Sequence, residues 1–283
     1  MQTEKVHLPN EKATYLPTLY GKALDNRAEH PILGDKFADE AVRRIDFDFE
    51  KLHLPQGGAV TLPMRAKHLD GWTQEFLAAN PESTVLHLGC GLDSRVFRID
   101  PPGTVHWYDV DLPDVIELRR QLYPQRHDYA LIASSVTDLK WLDGIPGDRP
   151  ALAVAEGLVE YLPEQQAVGL FTRITSQFPS GEIIFDAYSR LTVSLLNLAI
   201  RLSRLRAKPT SGEAGVVLPW GIDDPHDLER EVPRLRLEEA VPFLTMPELV
   251  ERLSRSQAQR RLTEAIGRFG WYKRSMQHYR YEF

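Results

Sequence analysis

Three features of the 283-residue sequence predict an α/β fold around a mostly parallel sheet. From residue 84 onward, short apolar runs alternate with stretches of helical periodicity, the pattern of βαβ units. These runs are apolar on both faces, as strands covered by helices on both sides must be. The first run ends in a close glycine pair, Gly89 and Gly91, and an open parallel sheet binds its ligands beyond strand ends of this kind.

Taken in order, residues 1–80 read as a helical region. "YGKALDNRAEH" and "GDKFADEAVRRID" carry apolar and charged residues at near-helical spacing. "LPMRAKHLDGWTQEFLAAN" continues the pattern, with Pro63 near its start and Asn80-Pro81 near its stop. The strands that follow are "TVLHL", "TVHWYDV", "YALIAS", "ALAVAE" and "EIIFDAY". The helices between them include "PDVIELRRQLY" and "PEQQAVGLFTRITSQF". After the fifth strand the alternation lapses. Residues 189–230, an amphipathic helix followed by a turn-rich stretch with an exposed-looking Trp220, are expected to form a substrate-side insertion over the carboxyl edge of the sheet. "RLRLEEAVPFL" then suggests a strand and "MPELVERLSRSQAQRRLTEAI" one or two helices. The alternating "QHYRYEF" suggests a last, antiparallel strand. Residues 1–283 are read as a single domain.

Composition narrows the function classes. With 42% hydrophobic and 26% charged residues the chain is ordinary for a globular protein able to bury a sizeable core. A net charge of −6 argues against broad binding to nucleic acid or anionic membrane. The single cysteine, Cys90, excludes disulfides within the chain and a cysteine-based metal site, and no metal is expected. The opening residues lack the apolar core of a signal peptide, and no apolar run is long enough to cross a bilayer. A soluble, cytoplasmic protein is therefore expected.

The glycine pair alone is a weak signal. A dinucleotide fingerprint requires a third glycine or an alanine where this chain has Ser94, which weakens a pyrophosphate site and makes a nicotinamide oxidoreductase a poor fit. The second strand sharpens the reading, because it ends with Asp109 and Asp111, about twenty residues after the glycines, where a carboxylate can accept both hydroxyls of a ribose. An aspartate here can also cap the following helix, whose first turn holds Pro113. Glu156, at the end of the fourth strand, faces the same crevice. Glycines followed by an acid favour an adenosine ligand over a bare turn.

"VLHLGCGLDSRVFRID", "WYDVDLPDVIELRRQLYP", "SSVTDLKWLD" and "AVAEGLVEYLPEQQ" resemble, in order and spacing, the leucine carboxyl methyltransferase superfamily. Within it they are most similar to the bacterial tetracenomycin-type polyketide-synthesis O-methyltransferases. The N-terminal "LYGKALDNRAEHPILGDKFADE" fits the same subgroup. The resemblance implies a class I, Rossmann-like methyltransferase with a seven-stranded, mostly parallel sheet, an N-terminal helical lid and S-adenosylmethionine as cofactor. It implies that Gly89, Cys90 and Gly91 line the methionine part through their backbone, that Asp111 binds the ribose, and that Ser135 and Val136 hold the adenine. Glu156 is implied at the methionyl portion, and Lys22 and Arg65 at the cofactor carboxylate, which suits bidentate arginine. Many members carry an acid where this chain has Ser135. A hydroxyl can still accept a hydrogen bond, and Asp138 is a nearby substitute.

Methyl transfer from a sulfonium is an in-line displacement. A carboxylate acceptor is already ionised at neutral pH and needs no base, whereas a phenol benefits from one. Candidate bases are Tyr161, Asp186, Tyr188 and His226, and Trp220 is a candidate platform for an aromatic substrate. His87 and His106 lie within strands and read as core residues. The leading reading is an O-methyltransferase acting on a carboxyl or hydroxyl of a small, polyketide-like aromatic molecule. The alternatives are methylation of a protein C-terminal carboxylate and a non-catalytic S-adenosylmethionine-binding regulator.

Overall fold

The computed structural model describes Lys5, residues 15–52, Leu54, and residues 57–206 and 217–283. The remainder of the expected N-terminal helical region and residues 207–216 of the expected insertion lie outside the described residues. The chain begins with helices α1 (Tyr15–Asn26), α2 (Lys36–Arg44) and α3 (Gly58–Ala79). There follow β1 (Thr84–Leu88), α4 (Arg95–Ile99), β2 (His106–Asp111), α5 (Pro113–Leu122), β3 (Tyr129–Ala133), β4 (Ala151–Ala155), α6 (Glu164–Gln177) and β5 (Gly181–Tyr188). The last part comprises α7 (Arg190–Arg206), α8 (His226–Glu231), β6 (Arg236–Pro242), α9 (Pro247–Leu253), α10 (Gln257–Ile266), α11 (Gly270–Lys273) and β7 (Met276–Glu282).

Among the described residues the strands form one sheet in the order β3-β2-β1-β4-β5-β7-β6. Strands β1 to β5 are parallel, and β7 runs antiparallel to both of its neighbours. Burial follows position in the sheet. The central β1 and β4 are buried at every residue, which is why they read as unbroken apolar runs, whereas the edge strand β6 has only exposed and half-buried residues. The strand order reverses beside β1, so the crevice for a ligand opens beyond the carboxyl ends of β1 and β4.

Two local expectations are corrected. Helix α3 starts at Gly58, so Pro63 lies inside it rather than near its first turn. Contact with α1 carries the helix across the proline: a side chain at Gly21 would meet Leu62 Cδ1 at 2.8 Å, so the two helices touch where Gly21 has none. Trp220 is not exposed but buried with Phe185, Tyr279 and Tyr281 in the main core. Asn197 of α7 brackets the backbone of Leu218, and the Ile222 N–H donates to the Tyr188 carbonyl at 2.8 Å, which draws the segment against the end of β5.

In β2, Asp109 and Asp111 share a face, as residues two apart in a strand do, yet their surroundings differ. Asp109 is fully buried under α5 and accepts hydrogen bonds from Arg119, from Tyr129 Oη at 2.6 Å and from Trp107 Nε1 at 2.9 Å. His87, its register partner on β1, reaches it through Nδ1 at 3.0 Å. His106, expected in the core, is only half-buried, because it opens its strand. Burial works to raise the Asp109 pKa, but the Arg119 charge and the hydrogen bonds outweigh it and hold the group at about 2.

Replacing Arg119 by leucine leaves that carboxylate buried and without its cation. Urea denaturation is expected to show a loss of about 3–5 kcal/mol at pH 7. In the wild type, the stability this depressed pKa supplies is present above the ordinary aspartate pKa. It should fade as pH falls from about 4 toward 2.

Candidate active site

The turn after β1 is shaped by its glycines. Gly89 (φ +58°) and Gly91 (φ +50°) both adopt the left-handed conformation, and a side chain at Gly89 would meet Leu158 Cδ1 at 2.8 Å. The Gly89 N–H donates to the Val110 carbonyl at 2.8 Å, fastening the turn to the end of β2. Asp111, one residue beyond Val110, then accepts the Gly91 N–H at 2.6 Å and, through its other oxygen, the Leu112 N–H at 2.7 Å. Helix α5 has Leu112 at its cap position, so Asp111 does not serve as the helix cap. Burial lifts the Asp111 pKa above the ordinary aspartate value despite both N–H donors.

Here lies a cavity of about 820 Å³, within the usual range for small-molecule sites. Its walls include Gly89, Cys90, Gly91, Asp111, Ser135, Val136 and Glu156, with Lys22 and Arg65 reaching in from the N-terminal helices. Ser135 Oγ is engaged with Thr137 Oγ1 at 2.8 Å. Asp138 is corrected as an adenine partner: it is absent from the wall and caps the 3-10 turn Leu139–Gly144. Burial pushes the Cys90 thiol well up, which keeps it unreactive.

Glu156 sits at the centre of a buried ionic web. It pairs with Arg95, with Arg65 at 3.2 Å and with Lys22 at 3.4 Å. Arg95 also binds Asp70 at 2.7 Å, and Arg98 binds Asp70, Asp35 and Asp93 within 2.9 Å. Burial opposes ionisation of Glu156, but Lys22, Arg65 and Arg95 prevail and hold it well below the glutamate range. Ser94, at the third fingerprint position, is fully buried. Its hydroxyl bonds Asp35 at 2.7 Å within the same web.

The candidate bases divide. Tyr161 and Tyr188 line the cavity. Asp186 does not: it is fully buried, and its oxygens accept the Gly157 N–H at 2.7 Å and Arg65 Nη1 at 3.2 Å. His226 is exposed and paired with Glu229 at 2.7 Å, because it opens the short α8 on the surface. Trp220, drawn into the core, is absent from the wall. The wall also holds Tyr15, Leu62, Asp93, Leu158 and Glu160, none of them singled out in the sequence. For Glu160 a signal was present: it follows Glu156 by four residues in "EGLVEYLP".

A zwitterionic amino-acid group fits one end of this cavity. Lys22 Nζ is buried there in ion pairs with Asp93 at 3.2 Å and Glu156 at 3.4 Å, so charges of both signs line that end of the wall. An acid held on backbone N–H groups completes the other end, near Ser135.

A parallel sheet with one antiparallel strand, a glycine turn and an acid at the next strand end together define a Rossmann-like methyltransferase. A crystal structure from Thermobifida fusca, assigned provisionally to the methyltransferases, shares the fold, with a TM-score of 0.54 at 16% identity over 92% of this chain and 93% of the other. The chain belongs to the leucine carboxyl methyltransferase family, which matches residues 16–175. It is 45% identical to the tetracenomycin polyketide synthesis O-methyltransferase TcmP of Streptomyces glaucescens, over 88% of each chain. It is 35% identical to the S-adenosyl-L-methionine-dependent methyltransferase dpfgK of Gibberella zeae, over 83% of each. It is an S-adenosylmethionine-dependent methyltransferase.

Arg65→Met removes a cation shared by two buried carboxylates and is expected to cost about 3–5 kcal/mol in denaturant titration. His226→Ala, on the surface, should stay within about 0.5 kcal/mol of wild type in the same assay.

Proposed function

We propose that this chain methylates an oxygen, carboxyl or hydroxyl, of a small, polyketide-like aromatic molecule. The observation that carries this reading is the 45% identity to TcmP over 88% of both chains. That stretch is longer than the family match at residues 16–175, so the likeness includes part of the chain outside it.

When bound, the cofactor supplies an electrophilic methyl group on a sulfonium. Gly89, Cys90 and Gly91 receive its methionine part along the backbone, and the absence of side chains on both glycines permits the approach. Asp111 accepts the ribose hydroxyls, with both oxygens already oriented by N–H donors. Ser135 and Val136 receive the adenine. Lys22 and Arg65 hold the carboxylate, and Glu156 stands beside them toward the ammonium.

A smaller cavity of about 220 Å³ shares Leu62, Arg65 and Tyr188 with the large one and is otherwise lined by the apolar Phe243, Leu244 and Met276 and the hydroxyl-bearing Thr61, Thr192 and Ser275. It suits the body of an aromatic acceptor. Its walls would exclude water and hold the nucleophile near the methyl carbon, the conditions for in-line displacement. Among the described residues no helix is long and apolar enough to cross a membrane, and a small-molecule acceptor needs none.

The test is calorimetric titration with S-adenosylmethionine and S-adenosylhomocysteine. Asp111→Ala is expected to weaken both at least about tenfold, or 1.4 kcal/mol. Wild-type protein that binds neither would overturn the reading. Methyl label recovered on macromolecules in lysate, rather than in the organic extract, would move the acceptor to a protein carboxylate.

A further inference from the structure

Glu160 has no part in the scheme above, and its situation is unusual. It lies in the 3-10 turn Val159–Tyr161 after β4, is 3% exposed, and lines the large cavity. Its Oε2 is buried without any hydrogen-bond partner. The charged and titratable groups acting on it come from every adjoining element: Asp186 and Tyr188 of β5, Glu156 after β4, Arg65 of α3, and Tyr161 of its own turn. Arg65 is the cation among them, and its guanidinium is already bonded to Glu156 and Asp186. Glu160 shares that guanidinium as a third carboxylate, and the attraction only partly offsets burial and the neighbouring negative charge. Burial first, then the Asp186 charge, raises its pKa to about 8. A neutral carboxyl has one O–H to donate, and a buried donor left unused is costly.

Glu160 lines the large cavity, and two of the residues it interacts with, Arg65 and Tyr188, line the small cavity as well. Resting on the methyltransferase reading above, we propose that Glu160 selects and aims the acceptor: its carboxyl donates a hydrogen bond to one oxygen of an acceptor carboxylate, leaving the other oxygen to face the methyl donor. A hydrogen bond from a neutral acid to a carboxylate is charge-assisted and short. Keeping a carboxylic acid neutral at pH 7 so that it can donate is an established use of an apolar site. In the transfer, a bond forms between the free acceptor oxygen and the methyl carbon. The carbon–sulfur bond breaks with its electron pair going to sulfur. No proton is released, and Glu160 keeps its own. A phenolic acceptor would instead require Glu160 to be an ionised base, the minor form at neutral pH.

The experiment measures binding of 2-naphthoate and 2-naphthol to protein saturated with S-adenosylhomocysteine, by calorimetry from pH 6.5 to 9. Naphthoate stays ionised throughout, so loss of the Glu160 proton should weaken its binding about tenfold by pH 9. Glu160→Gln, which keeps a neutral donor, should bind naphthoate at pH 7 as the wild type does and show no such decline. Glu160→Leu should bind it about fivefold or more weakly at every pH. Naphthoate binding that is absent, or flat with pH in the wild type, overturns the proposal. So does naphthol binding that strengthens with pH and is lost in Glu160→Gln, the behaviour of a base. Failure to bind S-adenosylhomocysteine in the first place would instead condemn the methyltransferase site itself.

Discussion

The ion pairs around Glu156 are the constraint on which the rest of the structure depends. Lys22 brings α1 to this carboxylate, Arg65 brings α3 and Arg95 brings α4. Asp70 joins α3 to α4 by binding both Arg95 and Arg98. Asp35, at the cap of α2, is held by Arg98 and Ser94. Four helices that precede or follow β1 are thereby located relative to the carboxyl end of β4. Buried ion pairs seldom add net stability, because removing each ion from water costs several kcal/mol. Their effect here is positional. Apolar packing among α1, α2 and α5 adds to this positioning.

The same web prepares the ligand site. Lys22 and Asp93 lie against each other at 3.2 Å, and Lys22 also pairs with Glu156 at 3.4 Å. All three line the large cavity, so the N-terminal helix α1 contributes a charged side chain to its wall.

Residue type says little about behaviour at this site. Asp109 and Asp111 are two apart on one strand face. One is pulled below the aspartate range by Arg119, and the other is raised by burial where it borders the cavity. Glu156 and Glu160 are four apart in one loop. The first is held ionised by three cations, while burial and neighbouring carboxylates raise the pKa of the second. In each pair burial opposes ionisation of both members, and they differ in how closely cations and hydrogen bonds offset it.

Strand and helix positions, the antiparallel final strand, the glycine turn and its partner acid at the next strand end were legible in the sequence, because apolar periodicity, turn chemistry and strand-end spacing are local properties of the chain. The residues quoted for the family resemblance were legible for the same reason: they lie in short contiguous stretches. The start of α3, the burial of Trp220, the isolation of His226 and the roles of Ser94 and Glu160 were not. Apart from His226, which simply lies on the surface, these depend on neighbours remote in sequence, as Arg65 and Glu156 are, 91 positions apart. The sequence by itself determined which elements form and at which strand ends the cavity opens. Only the tertiary structure decided which charges meet and which carboxyls stay protonated, because Coulomb energy depends on distance in space and on burial, and neither can be read from order along the chain.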